Sequence, residues 1–232
     1  MLAPYHLEDR KDELDIINWW IDDQPKTVFG FGELKFYGPT RTARARHCRD
    51  CGYAHTCEFY WDATADPEIK ALYLDAESAD GYLRDGCVFR DEIDIYDTMS
   101  VTVAYQGGPY MSYSLVAHSP YEGWRVAISG TDGRLEAEEI QSGLRAASPT
   151  LRCHLYDCTG AQTTVDVPKA SGMHGGGDSL LLQRLFSEQP PHDPLGQMAD
   201  SWAGAMSILI GVAANQSIQT GQPVSIDELL KK

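Results

Sequence analysis

The chain has 232 residues, in which 34 aspartates and glutamates outnumber 19 lysines and arginines and give a formal net charge of −15. Binding to nucleic acid or to an anionic membrane depends on an excess of basic residues, so the charge disfavours both partners. The apolar content of 43% is high enough to exclude a disordered chain. No apolar run reaches the roughly 18 residues that cross a bilayer. Because residues 1–10 lack a signal-peptide pattern, we expect a cytoplasmic protein.

The first regular segments are a helix and a strand. Apolar residues at helical spacing predict an amphipathic helix over residues 8–22, which ends before Pro25. Alternating apolar residues then predict a strand over residues 27–37. The phase of this alternation changes at Gly32, which predicts a β-bulge there.

Residues 38–65 have little periodicity and form a loop-rich segment with several cysteines. Cys48 and Cys51 are separated by two residues, a gap that lets two thiolates point at one cation, and Cys57 follows soon after. A tetrahedral zinc site needs four ligands, and Cys87 is the favoured fourth. The spacing therefore predicts a structural zinc ion, because four protein ligands leave no open position for a substrate.

Two alternatives to this ligand set stay open. His55 or His47 can replace the fourth cysteine, or the thiols can be unbound residues of a surface loop. Disulfides are disfavoured, because a chain of this size without an export signal does not need them as staples.

Strands dominate the middle of the chain. Side chains alternate between an apolar and a polar face over residues 99–105 and again over residues 111–117, with Gly107 and Gly108 between them, which predicts a hairpin. The same alternation predicts further strands over residues 124–128, from residue 135, and over residues 151–157 and 163–167. Their short connections predict an antiparallel meander with one wetter face.

Helical signals return in the last 55 residues. Asp178 can cap a helix, the Asp193-Pro194 pair predicts the start of a second, longer helix, and Gly221 predicts its end. Ser225-Ile-Asp-Glu228 is a capping box for a short final helix. Strands grouped together and followed by helices predict an α+β fold, a mainly antiparallel open β-sheet with helices packed on one face.

Motifs for nucleotide binding are missing from the sequence. No Gly-x-Gly-x-x-Gly motif follows a strand and no Walker A motif occurs. Gly30-Phe-Gly32 lies inside a strand pattern, and Gly175-Gly-Gly177 follows no buried strand. We therefore expect that this chain alone does not bind NAD(P).

The sequence His174-Gly-Gly-Gly-Asp178 is a second candidate site. Glycines let the backbone approach a ligand closely, and a histidine at a loop-to-helix junction can donate a hydrogen bond to a hydroxyl group. Asp178 can equally be a helix cap. On the first helix, Asp12 and Asp15 lie near one face, where the alternative interpretation is a solvated surface.

Several segments, taken together, resemble the C-terminal domain of Gfo/Idh/MocA oxidoreductases. They are Leu14-Asp-Ile-Ile-Asn-Trp-Trp20, the strand and turn through Gly130-Thr-Asp-Gly-Arg-Leu135, His174-Gly-Gly-Gly-Asp178 and Thr220-Gly-Gln-Pro-Val224. The resemblance assigns residues 13–232 to this domain and leaves residues 1–12 as a divergent segment. The cysteine-rich residues 38–65 look like an insertion found in one branch of the family.

The resemblance implies a division of labour between two domains. Family members carry an N-terminal Rossmann domain that binds NAD or NADP, and this domain is absent here. Their second domain forms the substrate wall, and its sheet often mediates homo-oligomers. Substrates are commonly sugars, inositols and related polyols. The resemblance thus implies the substrate and oligomerisation domain of an oxidoreductase, inactive alone, that needs a separate Rossmann-type domain.

Site residues follow from the same resemblance. His174 is implied to bind substrate, and Asp15, Asn18 and Trp19 are implied to lie near the pocket. Asp12 stands where the family has a histidine, so no catalytic base is predicted on this chain. The alternative function is a non-catalytic carbohydrate- or protein-binding scaffold with a structural zinc site. A zinc hydrolase is a weaker alternative, since it needs an open metal position and a nearby carboxylate base.

Overall fold

A computed structural model describes residues 11–143, 146, 148–169 and 176–231 of the chain. In chain order its elements are α1 (Lys11–Ile21), β1 (Pro25–Glu33), a 3₁₀ turn (Ala63–Ala65), α2 (Pro67–Ile69), a π-helical turn (Lys70–Leu74), α3 (Glu77–Asp80), β2 (Thr98–Tyr105), β3 (Tyr110–Val116), β4 (Gly123–Gly130), β5 (Gly133–Ile140), β6 (Thr150–Asp157), β7 (Gln162–Pro168), α4 (Gly177–Phe186), α5 (Ser201–Thr220), β8 (Val224–Ser225) and α6 (Ile226–Leu229). The chain divides into two compact units, residues 1–118 with 197–232, and residues 119–196. Helices and antiparallel strands in separate stretches confirm the α+β class.

The first unit is built on a four-stranded sheet with the order β3-β2-β1-β8. Side chains of a strand alternate between the two faces, and on one face of this sheet Val28 and Val103 are fully buried. Helix α5 packs against β1 and α1 packs against α5, so the helices cover this face. Ile210 of α5 is 1% exposed and completes the core. For this sheet, the predicted layer of helices on one face is confirmed.

The predicted bulge at Gly32 is wrong. Gly32 pairs with Met99 in an unbroken register, and the register shift falls between residues 25 and 27 instead. The chain leaves the sheet after β1 because the Asp97 carboxylate accepts the backbone N–H groups of residues 35, 36 and 37, at 2.9, 2.7 and 2.8 Å. The change of phase in the sequence therefore marks the end of the strand and the start of a separately packed segment.

The second unit contains an antiparallel meander with the order β4-β5-β6-β7. The predicted meander is therefore divided, because β2 and β3 pair with β1 in the other sheet. The turn between β4 and β5 depends on Gly133, whose φ is +153°. A Cβ atom at this position would lie 2.1 Å from the carbonyl oxygen of Tyr156 on the neighbouring strand. Only glycine allows this close approach.

Residues 34–97 connect β1 to β2 and include the cysteine-rich insertion. Their regular structure is limited to short turns and helices of three to five residues. A small core of Tyr37, Cys87, Val88 and Phe89 holds the segment together. The Arg41 guanidinium lies over the Phe89 ring at 4.0 Å from its centroid, which adds a cation–π contact.

None of the helices in the described part of the chain is long and apolar enough to span a membrane.

Candidate functional site

Helix α1 carries three of the predicted substrate-binding residues and is fixed to the first unit by polar contacts. The Ser207 hydroxyl of α5 donates to Asp15 Oδ1 at 3.1 Å. The Tyr113 hydroxyl of β3 donates to Glu13 Oε2 at 2.7 Å. These contacts tie α1 to both layers of the unit, while Leu14 enters the core at 4% exposed.

Asn18 lies at the junction of α1 and the sheet. Its Oδ1 atom accepts a hydrogen bond of 2.9 Å from the Tyr105 hydroxyl of β2. Burial raises the pKa of Tyr105 to about 12, and the nearby Asp23 carboxylate adds to the increase. The phenol therefore stays protonated and keeps donating to Asn18. The Asn18 Nδ2 atom is buried and finds no hydrogen-bond partner among the described residues.

Of the remaining two predicted residues, the structure describes Trp19 but not His174. The Trp19 side chain is 38% exposed on α1 and so can be reached from solvent. His174 lies outside the described residues, and its predicted contact with substrate stays a prediction. The structure thus brings Asp15 and Asn18 into the packed interface of α1 and leaves Trp19 at the surface.

Two residues at this interface were missed by the sequence analysis, Ser207 and Tyr105. Ser207 interrupts the apolar run of α5, and a buried hydroxyl in such a run requires a partner. The polar residue within this apolar run therefore indicates in the sequence that Ser207 has a hydrogen-bond partner. Tyr105 shares the apolar face of β2 with Val101 and Val103, so no pattern in the sequence indicated that its hydroxyl had a specific acceptor.

The predicted metal ligands lie in the connecting segment of the first unit. Cys87 is buried, Cys48, Cys51 and Cys57 are partly buried, and all four are free thiols. Burial raises the pKa of the Cys48 thiol, the Trp61 backbone N–H counteracts this, and Cys87, Asp85 and Cys57 raise it further. Cys48 therefore lies within electrostatic range of two other predicted ligands.

In the described ranges, no group of three or more His, Cys, Asp or Glu side chains is arranged so that it could hold a metal ion. The two alternative ligands do not improve the set. His47 Nδ1 lies 3.2 Å from the Asp50 carboxylate, and His55 is exposed. The predicted zinc site stays a proposal.

A cavity of about 580 Å³ lies on one face of the second sheet, where no site was predicted. Its lining mixes basic and acidic side chains. Arg125 pairs with Glu138 at 2.9 Å and Arg134 pairs with Glu136 at 2.6 Å. Since these cations already have carboxylate partners, the cavity is not a prepared site for an anion.

The fold can be compared with that of known proteins. Residues 13–226 match the family described as "Oxidoreductase family, C-terminal alpha/beta domain". The chain is 35% identical to "Putative oxidoreductase YteT" of Bacillus subtilis (strain 168), over 94% of this chain and 54% of that protein. The chain thus spans about half the length of this curated relative.

Solved structures share the fold at low identity. An oxidoreductase domain protein from Kribbella flavida is 13% identical, with a TM-score of 0.52 over 93% of this chain and 49% of its own. An oxidoreductase from Agrobacterium radiobacter, in complex with NAD⁺, L-tartaric acid and magnesium, is 12% identical, with a TM-score of 0.50 over 94% of this chain and 48% of its own. These likenesses establish the fold alone.

Fold and family match together define a C-terminal α/β domain of an oxidoreductase. The chain belongs to the Gfo/Idh/MocA family. The resemblance inferred from the sequence is confirmed.

Proposed function

We propose that this chain is the substrate-binding and oligomerisation domain of an NAD(P)-dependent oxidoreductase that acts on a sugar, an inositol or a related polyol. The observation that carries the proposal is the family match over residues 13–226. The oxidoreductase from Agrobacterium radiobacter forms a complex with NAD⁺ and a hydroxy acid, L-tartaric acid, which is consistent with it. The nicotinamide of NAD(P), bound to a nucleotide-binding domain, supplies the hydride acceptor.

The exposed side of the helix layer supports docking of that nucleotide-binding domain. On α1, Ile16 and Trp20 are 44% and 43% exposed, and on α5, Ile208 and Val212 are 51% and 44% exposed. Large apolar side chains in neighbouring exposed helices favour association with another surface. Nearly half of the relative's length lies outside its match to this chain. We propose that a nucleotide-binding domain docks on the exposed apolar side chains of α1 and α5.

Each candidate residue has a distinct role in this proposal. Asp15 and Asn18 are positioning residues, because their hydrogen bonds to Ser207 and Tyr105 fix α1. The exposed Trp19 indole offers an apolar face to the C–H groups of a polyol. His174 is proposed to hydrogen-bond a substrate hydroxyl group. No residue of this chain is assigned as the catalytic base.

A fusion protein tests the redox proposal. We expect the chain alone to show no micromolar binding of NAD(H) by calorimetry, since these residues contain no Gly-x-Gly-x-x-Gly motif after a strand and no Walker A motif. Fused to the nucleotide-binding domain of a family member, it should reduce NAD(P)⁺ with at least one sugar or inositol of a panel, followed by the absorbance of NAD(P)H. His174→Ala should lower kcat/KM by roughly 10- to 100-fold through the loss of one substrate hydrogen bond.

His192→Ala is the matched control, because His192 is an exposed histidine of the same unit. Its kcat/KM should equal that of the unsubstituted fusion. Micromolar NAD(H) binding by the chain alone would contradict the proposal that a separate domain binds the cofactor. A folded fusion that binds NAD(P) but turns over no polyol would contradict the substrate class and favour the scaffold function.

The uncovered face of the first sheet supports the oligomerisation role. Its exposed centre consists of hydroxyl and aromatic side chains, namely Ser100, Thr102, Ser112, Ser114, Phe31 and Tyr110. Glu33 is a charge at the edge of this face, where it pairs with Lys35 at 3.1 Å. Two copies of a chain with a net charge of −15 repel each other least through an uncharged patch, so a second copy is the occupant we propose.

One substitution tests this contact. Thr102→Asp places a charge at the centre of the face and should convert the oligomer to a monomer in sedimentation velocity, because a symmetric contact would bury the new charge twice. Thr131→Asp, in an exposed turn of the second unit, should leave the oligomer intact. A monomeric unsubstituted chain at micromolar concentration, or an oligomer that survives Thr102→Asp, would refute a contact through this face.

The zinc ion predicted from the cysteine spacing is a proposal about folding and not about this reaction. Four thiolate ligands leave no open coordination position, so such an ion could not polarise a substrate.

A further inference from the structure

Arg84, in the segment between β1 and β2, carries a guanidinium group that the packing of the segment leaves without an anion. Its Nε atom is buried and has no hydrogen-bond partner among the described residues. Its Nη1 atom donates to the Tyr82 hydroxyl over a long 3.4 Å. Buried donors in folded proteins nearly always have an acceptor, so a buried Nε without one indicates a partner that the chain itself does not supply.

Carboxylates close to Arg84 in the sequence are engaged elsewhere. The Asp85 side chain is 1% exposed, and its two oxygens accept the Arg49 guanidinium at 2.9 Å and the Arg49 backbone N–H at 3.1 Å. The Asp80 carboxylate accepts the Tyr82 backbone N–H at 2.9 Å. Arg84 therefore keeps an uncompensated positive charge in a chain whose net charge is −15.

Three aromatic side chains from different parts of the segment surround this guanidinium. Arg84 Cζ lies 5.8 Å from the ring centroid of Trp61 and 5.0 Å from that of Tyr73. Tyr73 belongs to the π-helical turn, a rare geometry that is frequent at functional sites. The Tyr73 and Tyr82 rings lie 6.0 Å apart at 52°, and Tyr82 is 50% exposed. Stacking on rings leaves the N–H edge of a guanidinium free for an acceptor.

A second arginine of the same segment shows what Arg84 lacks. Arg41 also lies over an aromatic ring, that of Phe89, but its Nη1 atom forms an ion pair of 2.7 Å with Glu58. Ring contacts therefore do not replace a carboxylate partner at Arg41. At Arg84 the ring contacts are present and the carboxylate is missing, which favours a carboxylate that comes from a ligand.

The surroundings of Arg84 restrict the chemistry of this ligand. A guanidinium matches a carboxylate by two parallel N–H···O bonds. The acidic chain repels a phosphate dianion more strongly than a singly charged carboxylate, which disfavours phosphate. Aromatic rings beside the charge offer apolar faces to the C–H groups of a sugar ring.

We propose that the Arg84 guanidinium binds the carboxylate of a sugar acid, whose ring stacks on the neighbouring aromatic side chains Trp61, Tyr73 and Tyr82. The Tyr82 hydroxyl is close enough to Arg84 to donate to the same ligand. Binding is non-covalent, and the guanidinium keeps its protons throughout. The site lies in the segment between β1 and β2 and not on α1, so it does not depend on the proposed redox function.

Calorimetry on the full chain provides the test, with glucuronate and glucose as a pair of probes that differ in the carboxylate. We expect saturable binding of glucuronate and at least tenfold weaker binding of glucose, because glucose leaves the guanidinium unpaired. Arg84→Gln should weaken glucuronate binding by roughly 10- to 100-fold. In the ¹⁵N–¹H spectrum, the Nε–H signal that disappears in Arg84→Gln should shift when glucuronate is added to the unsubstituted chain.

Arg46→Gln is the matched control, because Arg46 is an exposed arginine of the same segment, and it should bind glucuronate as the unsubstituted chain does. Equal affinities for glucuronate and glucose, tighter binding of inorganic phosphate, no binding of glucuronate, or an unmoved Nε–H signal would overturn the proposal. If Arg84→Gln fails to fold, the comparison of the three probes on the unsubstituted chain still decides. Turnover of NAD(P)⁺ is not measured, so a failure here is distinct from a failure of the redox proposal.

Discussion

Replacing Val103 with aspartate should unfold the first unit or lower its free energy of unfolding by more than about 3 kcal/mol. Val103 is fully buried at the centre of β2, where its side chain packs in the core formed with β1 and α5. An aspartate there would place a carboxylate among the apolar side chains of this core. Urea unfolding followed by far-UV circular dichroism measures the difference.

Thr102→Asp is the matched control, because the adjacent residue of the same strand points to the opposite, exposed face. Measured at a concentration where the chain is monomeric, its effect should stay within about 0.5 kcal/mol. Equal decreases in the free energy of unfolding for Val103→Asp and Thr102→Asp would show that both faces of β2 are buried. An unchanged free energy of unfolding for Val103→Asp would show that the helix layer does not cover the face that carries Val103.

The sequence allowed prediction of most local structure but not of the pairing between distant strands. Alternation identified β2 and β3 because every second side chain of β2 enters the core. The position of β1 between β2 and β8 could not be predicted, because β8 has only two residues and pairs with a strand near the other end of the chain. A two-residue strand carries no periodic signal, and its pairing depends on where α5 ends.

The candidate site was predictable only in part. The family resemblance predicted site residues on α1, and the structure shows that Asp15 and Asn18 form hydrogen bonds within the first unit. Their partners, Ser207 and Tyr105, come from other elements, so no local pattern could have paired them. The cysteine spacing predicted a set of zinc ligands, but in the described part of the chain no three such side chains are arranged to hold a metal ion.

Asp97→Asn should be the second strongly destabilising substitution and should lower the free energy of unfolding by about 3 kcal/mol near neutral pH. The Asp97 side chain is buried, and its carboxylate accepts the N–H groups of residues 35–37 and the Thr98 hydroxyl. An asparagine keeps one acceptor oxygen but turns an NH₂ group toward backbone donors. The donors, of which the Tyr37 N–H is buried and the other two are partly buried, then lose a matching acceptor, and the exit of the chain from β1 is no longer fixed.

The pH dependence distinguishes the carboxylate from a simple packing effect. Burial on its own would raise the pKa of Asp97, but the backbone N–H groups of Lys35, Tyr37 and Phe36 outweigh it and hold the pKa below its usual value. Because the pKa is lower in the folded state, the ionised carboxylate stabilises the fold fully above the unfolded-state pKa of about 3.9. That stabilisation is lost as the pH falls through the folded-state pKa.

The difference in unfolding free energy between the unsubstituted chain and Asp97→Asn should therefore be constant from neutral pH down to about pH 5 and shrink below about pH 4. Asp94→Asn removes an exposed carboxylate of the same segment and should cost less than about 0.5 kcal/mol throughout. A difference that persists undiminished to about pH 2 would mean that the shape of Asp97 matters and its charge does not. A comparable loss for Asp94→Asn would attribute the effect to the charge of the segment as a whole.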